Sequence, residues 1–136
     1  MQKSKRVIES LDFGIFPGKA LFSCGFTPQE ISNYLKKSSP EWYKAYGEIM
    51  SELIRTNPKA RVDKFFFVTE KQERIYYNLY IRDPFKFTDH EMAVLAHECV
   101  HLCQFHLEDI LDIRKEYECF AYLHTHLMEQ CLKKLR

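Results

Sequence analysis

Ile75-Tyr76-Tyr77-Asn78-Leu79-Tyr80-Ile81 sets Ile75, Tyr77, Leu79 and Ile81 on one side and Tyr76, Asn78 and Tyr80 on the other. That two-residue period is the signature of a half-buried strand. Val62–Val68 is the second strand candidate, and the short polar stretch Thr69–Arg74 between them predicts an antiparallel hairpin. Downstream, Asp83-Pro84 ends the second strand. Thr88 and Glu91 then have the spacing of a capping box, which predicts a helix from Asp89 to about Leu107. A last helix is expected over roughly Ile113–Leu135. It closes on Lys133, Lys134 and Arg136, which suit the negative end of a helix.

Upstream, Ser39-Pro40 starts a helix that should run from Glu41 to about Arg55, where Asn57-Pro58 stops it. Its stripe of Trp42, Tyr43, Tyr46, Ile49, Met50 and Leu53 at helical spacing is read as core. Thr27, Pro28 and Glu30 form an earlier start signal for a short helix to about Lys37. Val7–Cys24 is the least regular part. With Gly14, Pro17 and Gly18, it reads as short extended pieces and turns. The fold class is α+β, with helices packed on a small antiparallel sheet.

The chain has 136 residues, which predicts one domain over 1–136. Its chemistry gathers in about 62–132, and residues 1–59 carry no recognised motif. Twenty basic residues against 19 acidic leave a formal charge of +1. No basic excess exists to displace counterions, so nucleic acid is not an expected partner. No run approaches the roughly 18 apolar residues of a membrane span. Glu9 and Asp12 interrupt the N-terminal stretch, so no cleavable signal is expected. Five cysteines, four of them in helical-looking sequence, suggest reduced thiols and a cytoplasmic protein rather than a disulfide framework.

His97-Glu98-Cys99-Val100-His101 carries the chemistry. Residues four apart on a helix share a face, so both imidazoles can meet one metal ion. Glu98 is offset from that face and suits a base acting on a water at the metal. A chain of this composition would hold such a motif by chance roughly once in forty. Here it sits inside a segment with its own helix-start signal, after the small apolar run Met92–Ala96. A catalytic zinc site takes a third protein ligand and keeps one open position. Asp109, Asp112, Glu116 and Glu118 follow the motif. Glu118 is preferred because it shares a helical face with Ala121 and Tyr122, while Glu116 points about 200° away from it. The chain must reverse between Leu107 and Lys115 for any of this to work.

His97–His101 and Glu118-Cys119-Phe120-Ala121-Tyr122 together resemble the gluzincin-type metallopeptidases. Gln104 and Leu107 stand where metzincins carry Gly and His, which excludes that class. The resemblance covers about Ile75–Leu132. It implies a zincin-like fold, one zinc ion on His97, His101 and Glu118, and Glu98 as general base. It further implies a peptide or protein substrate. Ile75–Ile81 would be the rim strand that pairs with the extended peptide. The alternative is a zincin-fold protein without turnover that binds a protein partner.

Other residues are assigned more ordinary roles. Cys99 and Cys103 are read as small core residues, and Cys24 as a buried thiol rather than a fourth occupant of the metal. Gln104 continues the histidine face and suits a support for the ligands. Tyr76, Tyr80 and Tyr122 are packing residues with a secondary reading as oxyanion donors. Of His124 and His126, the latter has the smaller angular offset from Glu118 and is expected nearer the site.

Overall fold

The computed structural model describes residues 4–68, 73–108, 110 and 116–136. In chain order it contains β1 (Val7–Phe13), β2 (Phe16–Cys24), α1 (Pro28–Ser38) and α2 (Pro40–Thr56). β3 (Ala60–Val68), β4 (Glu73–Ile81), α3 (Asp89–Leu107) and α4 (Tyr117–Leu135) follow. The α+β class holds.

The expected antiparallel sheet is in fact mixed. Its order is β1-β2-β4-β3. The predicted β3–β4 hairpin forms, from Ala60↔Ile81 to Val68↔Glu73, and its connection lies outside the described residues. β2, however, runs parallel to β4, from Ala20↔Tyr77 to Cys24↔Ile81. The chain leaves β2, crosses through α1, α2 and β3, and returns to insert β4 in the middle. Val7–Cys24 is more regular than expected: it is the β1–β2 hairpin, paired from Val7↔Cys24 to Phe13↔Phe16. Gly14 makes that turn possible, with φ +64° and its amide donating to Asp12 Oδ1 at 2.9 Å.

Strand alternation sorts side chains to two faces. Leu11, Phe13, Ala20, Phe22, Tyr77 and Leu79 face α3 and α4, whose Leu95, Cys99, Leu102, Leu123, Leu127 and Cys131 complete one core. Leu21, Phe65, Tyr76 and Tyr80 face α1 and α2, whose Ile31, Leu35, Tyr46, Ile49 and Leu53 complete the other. The apolar stripe of α2 is thus core, as its spacing predicts. Each fully buried aliphatic chain contributes about 1.5–3 kcal/mol.

Helix starts follow the sequence closely. Thr27 and Glu30 form a complete capping box on α1. At α3 the box is modified. Thr88 Oγ1 accepts from Glu91 N at 3.2 Å, but the Glu91 carboxylate takes Lys86 N and the Thr88 hydroxyl instead of the cap amide. Ser39 precedes α2 without a side-chain cap bond. No helix among the described residues is long and apolar enough to cross a membrane.

Candidate metal centre

α3 lies on the sheet through Leu95, Cys99, Leu102, Cys103 and His106, all buried. That leaves the opposite side of the helix to His97, which is exposed, and His101, which is half-buried. The four-residue spacing brings their Nε2 atoms 3.0 Å apart, with the rings at 83°. Two nitrogens bound tetrahedrally to zinc at about 2.0–2.1 Å would stand about 3.3 Å apart. The pair therefore fits one ion with a small adjustment. Gln104 Oε1 lies 3.2 Å from His101 Nδ1. A proton on Nδ1 donated to that oxygen leaves the Nε2 lone pair free for a metal. Glu98 is half-buried one residue along; burial pushes its carboxyl up, and the His101 and His97 imidazoles oppose that rise.

The reversal demanded by the sequence takes place. Phe16 packs edge-on against His106 near the end of α3, at 6.1 Å, and against Tyr122 near the start of α4, at 6.3 Å. The linking residues 109 and 111–115 lie outside the described residues, and Asp109 and Asp112 with them. α4 buries Leu123, Leu127, Cys131 and Leu135. Glu118, in its first turn, is exposed and lines a shallow groove with Ala121, Tyr122, Thr125, His126 and Glu129. Among the described residues no third His, Cys, Asp or Glu completes a metal-holding group. The structure brings His97 and His101 together and does not bring Glu118 to them.

Two expectations are corrected, on β4 and on His126. β4 is hydrogen-bonded to β3 along its length and to β2 over Tyr77–Ile81, so most of Ile75–Ile81 is not a rim strand with a free edge. Tyr76 and Tyr80 are packing residues as expected: they point into the α1/α2 core, away from α3, which removes their secondary reading as oxyanion donors. His126 bonds to Asp12 Oδ1 at 2.7 Å, on β1. It is His124 that approaches α3, with its Nε2 donating to the Ala96 carbonyl at 3.1 Å, one residue before His97. Helical angle alone misranked these two because it ignored which neighbour each face of α4 meets.

The thiols stand as expected. Cys99 and Cys103 are fully buried. Cys24 is buried too, its Sγ donating to the Asp83 carbonyl at 3.3 Å, and burial pushes its pKa up to about 12. Such a thiol is a poor metal ligand at neutral pH. The sequence reading missed the Asp12–His126 pair, since 114 positions separate its members. No family profile, curated protein or solved structure matches the chain.

Proposed function

We propose that the protein is a zinc-dependent hydrolase acting on peptides, with a zincin-like arrangement of α3 and α4. The observation that carries this reading is the 3.0 Å approach of His97 Nε2 and His101 Nε2 on the outer side of a helix whose inner side is fully packed. His97 and His101 would hold the ion, and Glu118 is the third donor proposed from the sequence. When bound, zinc supplies a Lewis acid for a carbonyl and makes water a better nucleophile.

The chain's own groups then have defined tasks. Glu98 accepts the proton of the attacking water and delivers it to the leaving amine. Gln104 orients His101. An extended substrate would pair with β3 rather than β4. β3 is the sheet edge on the α3 side, where its Lys64 reaches Glu108 at 3.4 Å. Glu98→Gln should keep the metal and lose about 10²–10⁴-fold in peptide turnover. Full activity with the metal retained would overturn the mechanism.

A second reading has its own support. The histidine pair is open to solvent and no third donor lies within reach of it among the described residues. That arrangement suits a metal-dependent binder of a protein partner without turnover. Metal bound stoichiometrically with no cleavage across a broad peptide library would favour it.

A further inference from the structure

β1 is an edge strand, and one of its rungs is already occupied. The Gln130 amide donates to the Asp12 carbonyl at 2.8 Å and accepts from the Asp12 amide at 3.2 Å. A side chain thus occupies the place of a neighbouring strand, and it reveals which way the main chain points. At Asp12 both groups face outward. At Lys5 both face inward, to Phe85, at 2.9 and 2.8 Å. Main-chain direction alternates along a strand, so Ile8 and Ser10 present their N–H and C=O groups to the open edge. Among the described residues nothing bonds them there.

A groove of about 510 Å³ runs along residues 6–9, between β1 and α1. Ile8, Phe26 and Tyr34 give it an apolar lining, and the Arg6–Glu30 ion pair at 3.1 Å closes one side. Arg6 also covers the Phe26 ring at 4.2 Å. Glu9 points to the other face of the strand, where it pairs with Lys134 at 2.7 Å and keeps half of its side chain exposed.

We propose that this edge docks a short extended segment of a partner protein by strand addition. The segment reads apolar–basic–apolar: of its outer two side chains, one enters the groove beside Ile8 and the other lies on the same face across from Ser10, and its central cation sits across from Glu9. Open main-chain groups recognise a peptide backbone, and flanking pockets select alternate side chains. A cation across from Glu9 can share its half-exposed carboxylate with Lys134 as a cross-strand pair. A second copy of this chain fits poorly. Antiparallel self-pairing centred on these rungs sets Glu9 against Glu9, and Gln130 blocks extension past Asp12. Two rungs also fall well short of the roughly 1,200–2,000 Å² of a stable interface. The site lies at the opposite edge of the sheet from β3 and is independent of the metal centre.

The test uses fluorescein-labelled, end-blocked pentapeptides of the form apolar–Lys–apolar, with apolar–Glu–apolar controls, read by anisotropy on the full chain. Proline is tolerated on an edge strand where its missing N–H faced outward. Ser10→Pro should therefore fold with an unchanged melting temperature and weaken peptide binding roughly tenfold. Tyr34→Ala should also weaken it, and His97→Ala should leave it unchanged. Amide exchange at Ile8 and Ser10 should slow when peptide is added. Absence of saturable binding by any lysine peptide, or binding that Ser10→Pro leaves intact, overturns the proposal. Dimers in sedimentation that Ser10→Pro abolishes would overturn it in favour of a second copy.

Discussion

The sheet face beneath α3 and α4 is packed with aliphatic chains, aromatic rings and thiols and buries the His106 imidazole, whereas the face beneath α1 and α2 buries a cluster of hydroxyl, carboxylate and amide groups. On the first face, Leu11, Leu79, Leu95, Cys99, Leu102 and Cys131 are fully buried. On the second, Asn78 and Ser23 are fully buried, and Ser23 Oγ, Tyr46 Oη, Asp63 Oδ2 and both Asn78 amide atoms have no protein hydrogen-bond partner. Register groups them: Asp63 pairs with Asn78, and Ser23 with Tyr80. Burial pushes the Tyr46 hydroxyl pKa up, with Tyr80 and Asp63 adding to it. Unpaired buried polar groups destabilise. α3, which carries the candidate metal pair, thus packs on the face that lacks this cluster, where the buried His106 ring stacks on Phe13 at 3.8 Å.

Adjacent residues of β4 test that contrast with the largest expected effect. Leu79→Ala should cost about 2–5 kcal/mol, because it opens a cavity in a packed core. Asn78→Leu, one residue away on the other face, should cost less than about 1 kcal/mol or stabilise, because it removes two unpaired polar atoms at similar volume. Chemical denaturation of both variants measures the difference. A large loss on Asn78→Leu would mean that the amide is satisfied, for example by ordered water, and the contrast would shrink.

Thiol reactivity sharpens the same comparison at smaller scale. Cys24, Cys99, Cys103 and Cys131 are buried and only Cys119 is partly accessible. Burial also pushes the Cys103 thiol up to about 12. In the native protein at neutral pH, a disulfide reagent should modify Cys119 first and the other four only on unfolding. Fast modification of a second cysteine would show that the α3/α4 core opens readily.

How far the sequence carried depends on the range of the interaction. Alternation in Ile75–Ile81 and the cap residues Thr27 and Thr88 act locally, and they located β4, α1 and α3. The same local rule put His97 and His101 on one face. The parallel β2–β4 pairing depends on a long crossover, which no local pattern encodes. β1 and β2 were harder to read because Gly14 makes the turn between them and Pro17 and Gly18 open β2, where the pairing with β1 is irregular. Glu118 depends on the path through 109–115, and helical angle cannot supply that path.

The smallest expected effect is on acid stability at the β1–α4 contact. The His126 hydrogen bond, then the Gly14 amide, hold the Asp12 carboxyl below its usual range. Its folded pKa is depressed. Its contribution is therefore present above the usual aspartate pKa of about 3.9 and lost as pH falls through the folded value. Asp12 is largely exposed, so the effect is small. Asp12→Asn should flatten the acid limb of stability below about pH 4 and leave neutral stability almost unchanged. An unaltered acid limb would contradict the assignment.

The measurement that bears most directly on the metal centre is zinc content by mass spectrometry on untagged protein, beside His97→Ala, His101→Ala and Glu118→Ala. About one zinc per chain is expected, lost in both histidine variants and weakened in the Glu118 variant. Loss in the histidine variants alone would keep the pair and remove Glu118 from the ligand set. No zinc in any sample, after incubation with excess metal and dialysis, would contradict the metal centre itself.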